Sequence, residues 1–582
     1  MAKEEKPLLE QDRDWEPRID NGYPSALRRP DGSFELFYGT CNQVQDCRVQ
    51  LVLYANSTDG LSWTKPDLGV FDIGCVRPDL EKFGKKNNVV LQGGGVGVFR
   101  DEKSNQYVAF GPASYDTSAS DCVAFDLSLW FSNKPSILQH GILADHSKHD
   151  RHYENAPLAK QGNGTKNGTK PSHVVYKLRQ DLGQLSAMSD DAEVLSEDED
   201  LAQVGETRPL HYGERNLPFK PLKQLAFSAD GKQWIASEAH TVHFGQPQRW
   251  DTHNNIFFDK DKYVVTTRIG VHPRTIGMYE VHDLKDLYPS YISSPYEDQL
   301  REEMKGVAGR LSKGETSSLQ ATRTFSPDKD NHELYSQLTF SWRNIYLALV
   351  MIYDPAAQKL EEQASPADHE LGALGRIHCR LAWSAHALQG WQWVDSRVGA
   401  DFIPLGAEKA FDSHICFGSK PIVMEDGSSR FYYMGGDGPH FGLRKSSLGL
   451  ATLPPDRFAS LTAAEGQGPV LVNTSESVLV TGPVLIVTAD FVESSAVGSI
   501  RIGVAEGSDA LALENSVPLT KKLLLKHSRQ AKEGTNIQMT FRNGKNFREL
   551  VGKSVKLALE LNDVSLYTLG FTGGQSDKDG GA

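Results

Sequence analysis

Short apolar runs alternate with turn-forming clusters along most of the chain, and very few stretches repeat with the period of a helix. "YPSALRRPDGSFELFYGT" reads as an apolar alternation, an Asp-Gly turn at Asp31 and Gly32, and an aromatic strand. The same grammar returns in "GVGVFRDEKSNQYVAFGP", "HNNIFFDKDKYVVTTR", "LYSQLTFSWRNIYLALVMIYD" and "GSKPIVMEDGSSRFYYMGG". A sharper phrase occurs twice, in "YANSTDGLSW" and in "LAFSADGKQW". Ser and Asp bond their own backbone and Gly takes φ > 0, so Ser-x-Asp-Gly predicts a tight turn. The Trp that follows is expected to fold back over that turn. Degenerate last strands complete the later units: "TIGMYEVHDLKDL", "CRLAWSAHALQGWQW" and "SLGLATLPPDRF".

Five such units fit between about Asp20 and Phe458. Repeats of short antiparallel strands that cannot bury both faces alone read as blades, here of a five-bladed β-propeller. Two insertions interrupt the spacing, near residues 127–223 and 301–330, the first carrying the acidic run Ser189 to Asp200. After Phe458 the aromatic turn phrase disappears, and residues 459–572 read as a separate β-sandwich followed by a disordered tail, 573–582. The expected fold class is therefore all-β.

Composition narrows the partners. The chain has 582 residues and a formal net charge of -13, with 62 basic against 75 acidic side chains. A nucleic acid or an anionic membrane would need a basic face, so neither is expected as a partner. No apolar run is long enough to span a bilayer, and the opening "MAKEEKPLLEQDRDWEP" has no apolar core of a leader, which leans toward an intracellular protein. Six cysteines in so long a chain read as reduced, buried thiols, with Cys41 and Cys47 near enough in sequence to pair. Phosphate-loop, zinc-helix and nucleophile-elbow motifs are missing, and "GGGVG" lacks the helix that a dinucleotide site needs.

"YANSTDGLSWTKPDLGVF" followed by "NNVVL", together with "LGLATLPPDRFASL" and "LVGKSVKLALELNDVSLYTLGF", resembles bacterial glycoside hydrolase-like five-bladed propellers related in fold to glycoside hydrolase families 32 and 43. The resemblance implies a carbohydrate substrate and three carboxylates at the axial mouth, from the innermost strands of blades one, three and four. The corresponding positions here are Asp20 in "RIDNGYPS", Asp251 in "RWDTHNNIFF" and Glu333 in "NHELYSQLTF". Glycoside cleavage needs one carboxylic acid for the leaving oxygen and a second carboxylate on the opposite face. In an inverting enzyme Asp20 would activate water and Glu333 would protonate, with Asp251 tuning it; in a retaining enzyme Asp20 would attack the sugar.

Around these, His253 and Asn254 share the polar string of Asp251, and Asp412 and His414 in "FDSHICFG" echo it from the last unit, Asp412 being the substitute for Glu333. Arg268 and Arg274 offer planar donors, His440 sits in a Gly-rich loop, and Trp250, Tyr335 and Trp342 are candidates for stacking on sugar, with core packing as the ordinary alternative. Asp101 reads as a turn residue. No metal site is expected, although His253 and His414 could meet near a structural calcium of the kind found on the axis of some related propellers; calcium prefers oxygen ligands. A glycan-binding protein without turnover is the alternative.

Overall fold

A computed structural model describes residues 1–19, 23–41, 50–114, 222–237, 241–242, 253–271, 274–287, 322–323, 333–354, 375–395, 400–440, 444–462, 468–524 and 534–573. Most of the two expected insertions and residues 574–582 of the expected tail therefore lie outside the described residues. The chain forms two compact units, one of residues 4–420 and 432–450 and the other of residues 1–3, 421–431 and 451–582. Strands dominate, the one described α-helix being Lys521–Leu524. Among the described residues no helix is long and apolar enough to cross a membrane.

Up to Leu453 the strands form three sheets, of nine, four and ten strands, and along them antiparallel meanders follow one another in chain order, the first two sharing the nine-stranded sheet and the last two the ten-stranded one. The first runs through Ser25–Arg28, Phe34–Cys41 and Gln50–Ser57. The second uses Val89–Gly93 and Gly97–Arg100, then Tyr107–Ser114, Leu222–Ser228 and Ile235–Ala236. Asn255–Asp259, Lys262–Val271, Arg274–Val281 and Thr322–Arg323 make a third. Glu333–Trp342, Ile345–Asp354, Arg376–Ser384 and Gln392–Trp393 make a fourth. A fifth begins with Ile415–Gly418 and continues through Ser429–Gly436 and Ser446–Leu453.

The two copies of the turn phrase fold alike. Gly60 N and Gly231 N donate to Ser57 Oγ and Ser228 Oγ at 2.8 and 2.9 Å, and Asp59 and Asp230 each accept from the backbone amides two and three residues on. Both glycines have positive φ, 74° and 72°. The tryptophans, however, do more than cover their own turns. Trp63 meets Tyr432 of the fifth meander edge-on at 5.5 Å, and Trp234 meets Phe37 of the first at 6.3 Å. Trp391, in the last turn of the fourth meander, joins Phe257, Val264 and Met278 of the third in one buried cluster. Each indole thus ties its meander to the preceding one, with the first tied to the fifth.

The start of the chain strengthens that last tie. Leu9 and Glu10 pair with Leu448 and Ser447, and Gln11 Oε1 accepts from the amide of Ser446. A few residues on, Glu16 is buried among groups of the first meander: Tyr38 donates to Oε1 at 2.6 Å and Lys65 to Oε2 at 2.5 Å. Asn88 in turn donates to Tyr38 and accepts from Trp15. Residues 9–19 therefore fasten the fifth meander to the first.

The smaller unit holds two four-stranded sheets. Val484–Phe491 and Val564–Thr572 form the centre of one; Leu557–Asn562 and Ser499–Val504 form the centre of the other. Both contribute to one core that includes Val487, Ile500, Ile502, Leu559, Phe547 and Val564. Arg457 grips Asp490 with Nη2 and Nε at 2.7 and 2.9 Å.

One expectation is corrected. Cys75 is disulfide-bonded, whereas Cys379 and Cys416 are buried thiols outside any disulfide, so uniformly reduced thiols do not describe this chain.

The clasp predicts a stability effect. Tyr38→Phe removes a donor from a buried carboxylate and should destabilise the larger unit by about 2 kcal/mol, read as a lower urea midpoint with unchanged slope. An unshifted midpoint would show that the clasp contributes nothing.

Candidate functional site

Residues in or just before strands of four meanders meet around Tyr23, and Ser25 beside it reaches a fifth. Tyr23, just before the first strand, packs its ring against His253 of the third meander at 5.7 Å, Phe417 of the fifth at 5.5 Å and Tyr335 of the fourth at 6.3 Å. Its hydroxyl and that of Tyr335 are 3.3 Å apart, and His440 Nε2 lies 3.2 Å from the Tyr335 hydroxyl. Ser25 Oγ accepts from Val98 N of the second meander at 3.1 Å and lies 3.4 Å from His253 Nε2. All of these side chains are buried.

Local backbone features aim them. Tyr23 has φ +46°, an unfavourable conformation for a bulky residue that persists only when the surroundings enforce it. Tyr335 sits where the ladder slips, Leu334 facing Ile352 and Ser336 facing Met351. That bulge turns the strand and redirects the ring. The second and third meanders approach so closely that a Cβ on Gly97 would lie 1.8 Å from the carbonyl oxygen of Asn254. Asn254 completes the join by donating to Gly95 O at 2.8 Å and accepting from Thr267 at 2.8 Å.

Tyr23 helps line a small hollow open to solvent, walled by Gly39 and Gly93 to Val96 and edged by Arg18, Thr40, Gln50 and Val52. The "GGGVG" string thus leaves a wall free of large side chains.

The expected residues fare differently. Asp20, Asp251 and Trp250 lie outside the described residues. Arg268 and Arg274 are on the strands Lys262–Val271 and Arg274–Val281, but their side chains lie outside the description. Glu333 opens the strand of Tyr335, half-buried and opposite Tyr353. Asp412 is buried and accepts from the Tyr433 hydroxyl at 2.7 Å, which holds the phenol far above its ordinary range once burial has raised it. His414 is fixed through its backbone to Gly436 and Ile377, with Ser413 Oγ 2.8 Å from Nδ1. His253 and Tyr335 meet at Tyr23 and His440 joins Tyr335, while the Asn254 side chain bonds to Gly95 and Thr267 instead. Asp101 makes a local turn with Ser104 and accepts from Tyr263, as expected of a turn residue. Among the described residues no group of three or more His, Cys, Asp or Glu side chains is arranged to hold a metal ion.

Reading the sequence missed Arg18, Tyr23, Ser25, Phe417 and Lys420. Lys420 follows the first strand of the fifth meander and donates to Ile256 O at 2.8 Å, with Phe257 beneath it at 5.6 Å. Its stem is half-exposed, but its ammonium is enclosed, and burial lowers its pKa to about 7. Burial, aided by Lys420, lowers His253 to about 3, so this imidazole is neutral and its Nδ1 has no partner among the described residues.

No family model and no curated protein sequence matches the chain. Solved structures do. The chain is similar to a thermostable family-43 glycoside hydrolase, at 11% identity over 76% of this chain and 92% of that one, with a TM-score of 0.35. It is similar to the exo-inulinase of Aspergillus awamori, at 10% identity over 98% of each chain, with a TM-score of 0.33. A third is the exo-beta-1,3-galactanase of Phanerochaete chrysosporium, at 8% identity over 97% of this chain and all of that one, with a TM-score of 0.31. These structures are glycoside hydrolases.

The two depressed pKa values predict a pH profile. From about pH 7 to the ordinary lysine value of 10.5, the unfolded chain binds a proton that folded Lys420 has lost, so stability rises with pH. Lys420→Met should flatten that rise in denaturant titrations at pH 7 and pH 10. From pH 6.5 down toward 3, the unfolded chain protonates at His253 while the folded one resists, so stability falls. His253→Asn should blunt this acid limb; an identical limb in that variant would assign it to other groups.

Proposed function

We propose that the chain is a five-bladed β-propeller over residues 1–458 with a C-terminal β-sandwich over 459–572, and that it cleaves a glycosidic bond at the mouth marked by Tyr23. The observation that carries this reading is the meeting of Tyr23, His253, Tyr335 and Phe417, from four meanders, beside a glycine-walled hollow open to solvent. Asp20 precedes Tyr23 by three residues and Asp251 precedes His253 by two, which is support from chain proximity to that meeting point. Glu333 is two residues before Tyr335. Residues from separate meanders can thereby serve one reacting bond, as the chemistry requires.

In this mechanism Glu333 protonates the leaving oxygen and Asp20 acts on the opposite face, while Asp251 orients the sugar and favours the protonated form of Glu333 by like charge. A separation of roughly 5–5.5 Å between the two reacting carboxyls gives retention, and roughly 6.5–9.5 Å leaves room for water and gives inversion. His253, neutral and buried, acts as a hydrogen-bonding and packing group rather than as an acid.

One observation favours a second reading, glycan binding without turnover. The side chains seen to meet at the centre are uncharged rings, and the carboxylate of Asp412, the substitute acid, is engaged by Tyr433.

The test is a panel of aryl glycosides and plant or algal oligosaccharides with wild type, Asp20→Asn and Asp251→Asn. Loss of an acid–base group should lower turnover by about 10²–10⁴-fold with unchanged melting. Equal turnover in all three proteins removes both residues from the mechanism. Binding without turnover in all three establishes the second reading.

A further inference from the structure

We propose that Asn473 is an acceptor for an N-linked glycan, and that this glycan covers an open sheet edge in the smaller unit. The proposal is independent of the carbohydrate reading above: it concerns sugar attached to the chain, not sugar bound by it.

Asn473, Thr474 and Ser475 form an Asn-x-Ser/Thr sequon, as do the residues starting at Asn56, Asn163 and Asn167. Sequons often arise by chance, so placement decides. Asn473 and Ser475, which define the signal, are both exposed. Thr474 between them turns inward: its amide donates to Leu557 O at 2.9 Å and its Oγ1 accepts from Leu557 N at 3.0 Å. Strand alternation produces this arrangement. Val470, Val472 and Thr474 share the face of the core residues Leu561, Leu559 and Leu557, and Leu471 and Asn473 take the outer face. The Asn473 side chain makes no hydrogen bond among the described residues, so its Nδ2 is available for a substituent. Asn56 contrasts with it, half-buried and with its main chain bonded to Thr64 in both directions. Asn163 and Asn167 lie outside the described residues.

Two further observations point to a glycan at Asn473. The first is the edge. Val470–Asn473 pairs with Leu557–Asn562, and among the described residues no strand pairs with its other side. Because Thr474 bonds inward, the antiparallel ladder turns the amides and carbonyls of Leu471 and Asn473 outward. Such an edge is a template for another chain, and proteins blunt theirs with charge, a bulge or a cover. Residues 470–473 carry no charge, and Leu471 is 64% exposed. A bulky, hydrated oligosaccharide on Asn473 shares the face of Leu471 and supplies the cover. The second is the disulfide at Cys75. Disulfides persist in oxidising compartments, the secretory lumen and the cell exterior among them, where N-linked glycans are also found.

The transfer is a substitution at an anomeric carbon. Asn473 Nδ2 forms a bond to C1 of the first sugar of a lipid-pyrophosphate-linked oligosaccharide. The bond from C1 to the pyrophosphate oxygen breaks, the lipid pyrophosphate leaves with the electron pair, and one amide proton passes to a base. No oxidant or reductant is consumed.

The experiment is peptide mapping by mass spectrometry of the full chain isolated from the cells that make it, before and after peptide N-glycosidase in heavy-oxygen water. The peptide holding Asn473 should carry an oligosaccharide mass, and the enzyme should leave a labelled aspartate at that position. In chain secreted from a eukaryotic host, Ser475→Ala should lose this glycan although Asn473 remains, and Ser475→Thr should keep it. An unmodified Asn473 in the isolated chain overturns the proposal, and so does a glycan there that survives Ser475→Ala. Sedimentation velocity tests the cover. Asn473→Gln from the same host should self-associate at about tenfold lower concentration than the glycosylated wild type. Equal self-association of the two proteins overturns the covering role.

Discussion

The larger unit depends on strands that are buried on both faces. Eight consecutive residues of Ile345–Asp354 are buried, and so are Leu334 to Phe340 on the neighbouring strand. A meander of such strands has no face to give to water. It must be covered on each side by another meander, and the tryptophans of the turn phrases make that contact. Trp63 reaches the fifth meander, Trp234 the first and Trp391 the third, so an indole closes three of the junctions. The strap at residues 9–19 then adds hydrogen bonds and a buried Lys65–Glu16 pair to the same junction.

Packing of this kind crowds the first strands, and the crowding creates the site. Gly97 admits the Asn254 carbonyl at a distance no side chain would allow. Tyr23 and Tyr335 leave regular geometry, one by positive φ and one at a bulge, because rings from different meanders compete for one small volume. Polar groups carried into that volume lose water. His253 is held neutral and Lys420 titrates near neutrality for that reason. Where the walls are glycine, the same crowding leaves an opening. The hollow, the neutral imidazole and the strained tyrosine are consequences of one packing constraint.

Much of this was legible in the chain. Both Ser-x-Asp-Gly turns fold with the same bonds because the bonds are local: the donors lie within three residues of their acceptors. Asp101 was readable as a turn for the same reason. The run of apolar aromatic strands was readable because alternation and turn chemistry need only neighbours in sequence. His253, Asn254 and His440 stood out as polar residues in odd places, at the edge of an apolar strand or in a Gly-rich loop.

What escaped reading was long-range. Nothing in "NGYPS" signals that Tyr23 will meet residues from three other meanders, and nothing in "EPRI" marks Arg18 as the edge of a hollow. Trp63 and Trp234 were readable as turn residues but not as contacts between meanders. Lys420 looks like an ordinary surface lysine until Ile256 and Phe257 close over its ammonium. By itself the sequence determined the strands, the turns and the polar strings, since these follow from interactions over a few residues. Only the tertiary structure decided which strings share a centre, which carboxylate is taken by a tyrosine and which amine is dehydrated. Those outcomes depend on what surrounds each group, and the surroundings come from chain segments hundreds of residues apart.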